Sequence, residues 1–326
     1  MGENHKILKL LPIIGKILRM IGIVLLCIIA LVVIFLFWNS HRQVVGQNYP
    51  TKIKTGGVIE QTYAQYGTYE VSYFEQDVME NYKKYEIWYP AKMTNSKETY
   101  PVIVINNGTG MRASRSKASY GRLASWGFIV IANEEEYSWN GFAANMSLQY
   151  LLRANEQNNS IFYQHIDTEK IGVTGHSQGG AACVNTVTET KYASMYRTAF
   201  LISPAGEELA ANLEWDYDIS RVTIPIAIIA GTGNTDAEVI IPLTAMNKMF
   251  DHATNSPFVL MARKTGYDHG ETGMQIDGYL TAWFMWQLQG DTEAAKAFIG
   301  DSPEIMRNQL YQDLRIDLVS ASDTEK

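Results

Sequence analysis

The 326-residue sequence predicts an α/β fold, with a mostly parallel central sheet covered by helices on both faces and preceded by one N-terminal transmembrane helix. Three observations predict it. Between residues 100 and 290, short and continuously apolar runs alternate with helix-length segments. That is the pattern of strands buried on both faces and joined by crossover helices. Near the N-terminus, "MIGIVLLCIIALVVIFLFW" (20–38) runs for 19 residues without a charge. The whole chain is 46% hydrophobic, and the remainder shows no internal repeat, low-complexity run or second core, so one large domain follows the apolar helix.

The apolar run comes first. A bilayer core takes about 20 helical residues, so 20–38 is long enough to span. A buried core helix would show a polar face, and this segment has none. A cleaved signal peptide would have a shorter apolar region ending in small residues, whereas this one ends in Phe35, Leu36, Phe37 and Trp38. Lys6, Lys9, Lys16 and Arg19 precede it and Arg42 follows. The positive-inside rule then predicts a cytoplasmic segment 1–19, an anchor 20–38, a tether 39–57 and an extracellular domain 58–326.

Within the domain, "VIEQTYAQYGTYEVSYFE" (58–75) and "YKKYEIWYPA" (82–91) are rich in Tyr and Val with partial alternation, and predict two or three antiparallel strands. "YPVIVINNG" (100–108), "FIVIAN" (128–133), "KIGVTG" (170–175), "TAFLISPA" (198–205), "IPIAIIAG" (224–231) and "PFVLMARKTG" (257–266) are the buried strands. The helices between and after them are "SKASYGRLASWG" (116–127), "GFAANMSLQYLLRANEQ" (141–157), "GGAACVNTVTET" (179–190), "LTAMNKMFDHA" (243–253) and "GYLTAWFMWQLQG" (278–290). The tail 307–326 predicts a short helix with a polar end.

The turn after "KIGVTG" carries the chemistry. Gly175-His176-Ser177-Gln178-Gly179 is G-x-S-x-G between a strand and a helix. A serine raised on so sharp a turn needs neighbours without Cβ atoms, and the helix behind it offers free N–H groups. Serine needs a base to become a nucleophile. Of six histidines, His5 and His41 flank the apolar run, His165 precedes its strand at the wrong end, His176 sits on the turn itself and His252 lies in a helix. His269 remains, in the glycine-rich loop after the last core strand. The orienting acid is predicted as Asp236, the first carboxylate after "IPIAIIAG"; Asp216 and Asp218 belong to the opposite end, and Asp268 is too close in sequence to face His269. The order Ser177, Asp236, His269 has gaps of 59 and 33 residues. Backbone N–H groups of Gln178 and of Thr109, with Gly110 next, are the predicted oxyanion donors. Glu134, Glu135 and Glu136 follow a core strand and lie either at the mouth or on a solvated loop. Trp139 and Phe142 either contact an acyl chain or pack.

On these segments the sequence resembles the α/β-hydrolase superfamily. Within it, "PVIVINNGTG", "YGRLASWGFIVIA", "IGVTGHSQGG", "IPIAIIAGTGNTD", "GYDHG" and "TAWFMWQLQGDTEAAKAF" are similar to bacterial cutinase and dienelactone-hydrolase-like esterases, near the platelet-activating-factor acetylhydrolases, over roughly residues 100–300. The resemblance implies that Ser177 attacks an ester carbonyl, His269 shuttles the proton and Asp236 orients it, with backbone donors at Thr109 and Gln178. Polyester-degrading cutinases carry an aromatic residue where this chain has Thr109 and a tryptophan near Ala205. That departure implies a substrate other than an aromatic polyester.

The expectation is a membrane-anchored extracellular serine esterase acting on a small-molecule or lipid-like ester, with no cofactor and no metal. The alternatives are an acyltransferase or peptidase using the same three residues, or a catalytically silent anchored binding protein on a hydrolase fold. Nucleic acid is excluded as a partner: the chain carries −7 overall and +4 over 1–42, leaving −11 for the rest. Oligomeric state is not encoded legibly. Cys27 and Cys183 are too differently placed to pair, and Cys183 has no motif that marks a catalytic thiol.

Overall fold

The computed structural model describes residues 2–80 and 82–318. The chain divides into two units at residues 44/45. The first is one helix, α1 (Gly2–His41). Its segment Leu18–Asn39 is long and apolar enough to cross a membrane or to serve as a signal sequence, and none of it is buried.

The second unit is an α/β body. Its strands are β1 (Val71–Asp77), β2 (Lys84–Pro90), β3 (Tyr100–Asn106), β4 (Ile129–Asn133), β5 (Ile166–His176), β6 (Tyr196–Ile202), β7 (Ile226–Gly231), β8 (Phe258–Lys264) and β9 (Tyr311–Leu318). They form one sheet in the order β1-β2-β4-β3-β5-β6-β7-β8-β9. From β4 through β3 to β8 every pairing is parallel; β1, β2 and β9 run antiparallel at the two edges. The helices are α2 (Val58–Ala64), α3 (Lys117–Ala124), α4 (Phe142–Glu156), α5 (Gln178–Thr188), α6 (Glu207–Asn212), α7 (Leu243–His252), α8 (His269–Gln275), α9 (Asp277–Gln289), α10 (Thr292–Ala295) and α11 (Glu304–Arg307).

Alternate residues of each central strand enter different cores. Val102 and Val104 share a core with Leu148 and Leu151 of α4 and, farther along the same face, Met246 and Met249 of α7. Ile103 and Ile105 pack with Trp283 and Phe284 of α9. Every residue of β3 is therefore apolar or buried, as a strand covered twice requires. Each such side chain contributes roughly 1.5–3 kcal/mol by leaving water.

Three segments differ from the sequence expectation. Residues 58–64 form a helix rather than a strand, because Glu304 lies at its N-terminus and accepts the Ile59 and Glu60 N–H groups at 2.8 and 2.9 Å. A carboxylate there satisfies orphan donors and complements the helix dipole. Residues 311–318 form an edge strand rather than a helix, with Leu314 and Ile316 packing on the α9 side and Arg263 bonding Asp313 at 2.6 Å. The polar end expected over 319–326 lies outside the described residues. Finally, residues 45–57, the latter part of the expected tether, pack within the second unit, where Tyr49 and Ile53 are buried.

Candidate active site

The parallel strands end on one edge of the sheet, and β5, β7 and β8 each deliver one of the expected residues there. Ser177 follows β5 and precedes α5, with φ 60° and ψ −123°. An L-residue is strained in that region. Its N–H donates to the Ile202 carbonyl at 2.9 Å, and its own carbonyl accepts from Gly180 at 2.9 Å and Ala181 at 3.2 Å. The flanking glycines are required by close approach. A Cβ on Gly175 would lie 2.3 Å from the Gly179 carbonyl oxygen, and one on Gly179 would lie 2.2 Å from that of Asn106. The turn thus presses against the end of β3, which brings the 106–110 loop beside the serine.

His269 is the first residue of α8. Its Nε2 lies 2.9 Å from Ser177 Oγ, and its Nδ1 lies 2.7 Å from Asp236 Oδ1. Because Asp236 is fully buried and can only accept when ionised, the Nδ1 position carries the proton and Nε2 is free to accept from the serine hydroxyl. Asp236 is the second residue of a turn of wide helix, Thr235–Ile240. Its second oxygen accepts from the Gly231 N–H and from Ser203 Oγ, both at 2.7 Å. Burial pushes this carboxyl up, but the hydrogen bonds from His269, Ser203 and Gly231 outweigh burial and hold it below the usual range. The structure thus brings Ser177, Asp236 and His269 into one hydrogen-bonded chain. Such a chain can deprotonate a hydroxyl at the moment it attacks, then return the proton to a leaving group.

The N–H groups of Thr109 and Gln178 have no acceptor among the described residues. The Gly110 N–H, by contrast, is bonded to the Glu136 carbonyl at 3.0 Å. The loop is fixed by Asn107, whose side-chain amide donates to the carbonyls of Asn133 at 2.7 Å and Glu135 at 2.9 Å.

Several supports were not found by sequence reasoning. Ser203 (φ 40°) looked like part of a strand end. Asp268 was set aside as too close to His269, and it does not face the ring; it caps α8 and accepts from Thr235 N at 2.9 Å, Thr235 Oγ1 at 2.7 Å and Asp236 N at 3.2 Å. It therefore ties the acid loop to the histidine loop. His176 was expected to point elsewhere, yet its ring centroid is 4.4 Å from that of His269 and its Nε2–H donates to the His269 carbonyl at 2.8 Å. Burial first, and the neighbouring His269 second, lower its pKa to about 4. The signal available for Ser203 and Asp268 was only their position at strand ends, shared with many other polar residues.

The acidic run is structural. Glu134 is buried and accepts from Ser114 N at 2.8 Å and Ser114 Oγ at 2.9 Å, while Glu136 pairs with Arg112. Phe142 and Tyr137 are exposed, and Trp139 is half-buried. Burial pushes the Cys183 thiol up to about 12, so it is no nucleophile at neutral pH. His165 bonds the Glu98 carbonyl at 2.9 Å, and His252 pairs with Glu207 at 3.0 Å. An open cleft of about 360 Å³ is lined by Leu209, Val239, Ile240 and Ala245 together with Glu207 and Lys248; none of the three chain-forming residues lines it. A family model described as "PETase: PET hydrolase-like" matches residues 55–313. No curated protein matches the chain.

Proposed function

The chain belongs to the PET hydrolase-like family of α/β-hydrolases, and from that premise we propose that it is a membrane-anchored serine esterase working through an acyl-enzyme on Ser177. The observation that carries the reading is the hydrogen-bonded series Asp236–His269–Ser177 on a positive-φ turn. Ser177 Oγ attacks the ester carbonyl while His269 Nε2 takes its proton. Asp236 holds the imidazole by its Nδ1–H and stabilises the imidazolium that forms. The oxyanion lies against the N–H groups of Gln178 and Thr109. His269 then protonates the leaving alcohol, and a water deprotonated by the same nitrogen releases the acid. Removing a single oxyanion donor from such a site costs ~10²–10³-fold in rate.

The substrate is read as a small or lipid-like ester. Ala205, where a tryptophan platform is expected in polyester-degrading relatives, is buried among Ala181 and Ala210, and Tyr217 bonds its carbonyl at 2.7 Å. Anchoring is supported by α1: four basic residues before the apolar span are the pattern that the positive-inside rule reads as a cytoplasmic N-terminus with the body outside.

The test is turnover of p-nitrophenyl esters from acetate to palmitate by the full chain in detergent, beside Ser177→Ala. Turnover lost by several orders in the variant supports the esterase, and the chain-length profile narrows the substrate. Equal rates for both proteins reject it. Alcohol or amine acceptors in the same assay separate hydrolysis from acyl transfer.

A further inference from the structure

Two fully buried charges of the body, Lys264 and Glu60, meet beside the short helix that begins with His269. Lys264 ends β8, Glu60 lies on α2, and neither side chain has exposed surface. The Lys264 ammonium donates to Glu60 Oε1 at 2.7 Å, the Lys54 carbonyl at 2.7 Å and the Gln275 carbonyl at 2.6 Å. All three of its protons are used. Gln275 ends α8. One ammonium therefore joins the residue before the histidine loop to the residue that closes the histidine helix, fixing both ends of 264–275 at one point.

Segment 49–60 completes the arrangement. The Gln275 side chain accepts from the Lys54 N–H at 3.0 Å and donates to the Lys52 carbonyl at 3.3 Å. Glu60 is saturated by Tyr311 Oη, the Gly56 N–H and Asn308 Nδ2, each at 2.8 Å. Asp277, two residues past Gln275, accepts from Tyr49 Oη at 2.5 Å and lies 3.4 Å from Arg122 Nε. A seven-residue helix has little stability of its own, so its direction must be set at its ends. Asp268 sets the first end. The Lys264, Gln275 and 49–60 contacts, with the buried Ile276, set the second. A buried ion pair is weak evidence for stability, because apolar residues would serve as well, but it specifies geometry.

We propose that segment 49–60 is a positioning element for the catalytic base: through Lys264, Glu60 and Gln275 it holds α8 so that His269 Nε2 stays in reach of Ser177 Oγ. This rests on the reading of His269 as the base. It makes the stretch that follows the apolar helix part of the catalytic apparatus rather than a passive connection.

The experiment uses the full chain in detergent and three substitutions. Gln275→Leu removes only the side-chain grip on 52–54, Lys264→Met removes the junction, and Arg263→Met, which breaks the pair with Asp313 on the adjacent position of β8, is the control. Turnover of p-nitrophenyl butyrate is read well below each variant's Tm, with the His269 Nδ1–H proton resonance recorded alongside. A misplacement near 1 Å costs ~10²-fold, so kcat is expected to fall ~10-fold in Gln275→Leu and ~10²-fold in Lys264→Met, with KM unchanged. The Nδ1–H resonance broadens in both, and Arg263→Met loses Tm but keeps kcat. Wild-type kcat and an unaltered resonance in Gln275→Leu overturn the proposal; that variant decides alone if Lys264→Met does not fold. If the wild-type chain turns over no ester, the esterase reading falls. The resonance then decides the positioning role by itself: broadened in Gln275→Leu it stands, unaltered it is overturned.

Discussion

Two buried carboxylates in this molecule receive opposite treatment. Glu60 and Asp236 both have fully buried side chains, and both face a nitrogen at 2.7 Å. Glu60 faces a lysine that is sealed on all sides, with every proton committed. Asp236 faces a histidine whose side chain keeps 18% of its surface exposed and whose far nitrogen meets a hydroxyl. Burial lowers the pKa of Lys264, with Glu60 opposing the shift, yet nothing in the cluster can accept its proton and carry it away. The difference teaches what separates an anchor from a relay. A saturated, dry ion pair fixes position; the same pair with an imidazole at the solvent edge can pass a proton.

The comparison is broken most sharply at Asp236. Asp236→Asn keeps the shape but favours the wrong imidazole tautomer, and kcat is expected to fall by ~10⁴-fold with the fold intact, as measured by ester turnover and circular dichroism. The matching substitution in the other pair, Lys264→Met, strands a buried carboxylate. Denaturant unfolding is expected to show a loss of ~3–5 kcal/mol, part of which Glu60→Gln in the same chain restores.

Smaller changes sharpen the contrast. Ser203→Ala removes one hydrogen bond to Asp236, and bonds to charged groups contribute ~1.5–3 kcal/mol, so a drop in kcat of about tenfold is expected. The acid limb of the rate profile should also move to higher pH, because a donor that favours ionised Asp236 is gone. The stability that Asp236 confers is present above its unfolded pKa of ~3.9 and is lost as pH falls through its lower folded value. His176 acts in the same direction for a different reason. Its folded pKa is lowered from 6.5 to about 4, so its neutral form belongs to the folded state. Between those values the unfolded chain binds a proton that the folded chain does not, and stability falls with acidification by at most ~1.4 kcal/mol per pH unit. His176→Asn should flatten that slope in urea unfolding followed from pH 6.5 to 4.

Much of the site was legible because it rests on short-range rules. Gly175 and Gly179 announce a backbone pressed against its neighbours, and "PVIVIN" announces a strand buried on both faces. The carboxyl ends of such strands then single out Asp236 and His269 from other acids and histidines. Ser203, Asp268 and His176 were not legible in their roles, since each acts through a partner that follows a different strand. The 58–64 segment misled for the same reason. Its valine, isoleucine and tyrosine suit a strand, and the Glu304 carboxylate that starts it as a helix lies more than 240 residues away.

By itself, then, the sequence determined the alternation of buried strands and helices, the turn that presents Ser177 and the order of the three residues. These depend on backbone sterics and on local hydrophobic periodicity, which act within a few positions. Tertiary structure alone decided how Asp236 is solvated, which residues steady His269, and that 49–60 belongs to the body. Those depend on hydrogen bonds between groups up to 251 residues apart, such as Tyr311 to Glu60, whose strength comes from exclusion of water that only the assembled fold provides.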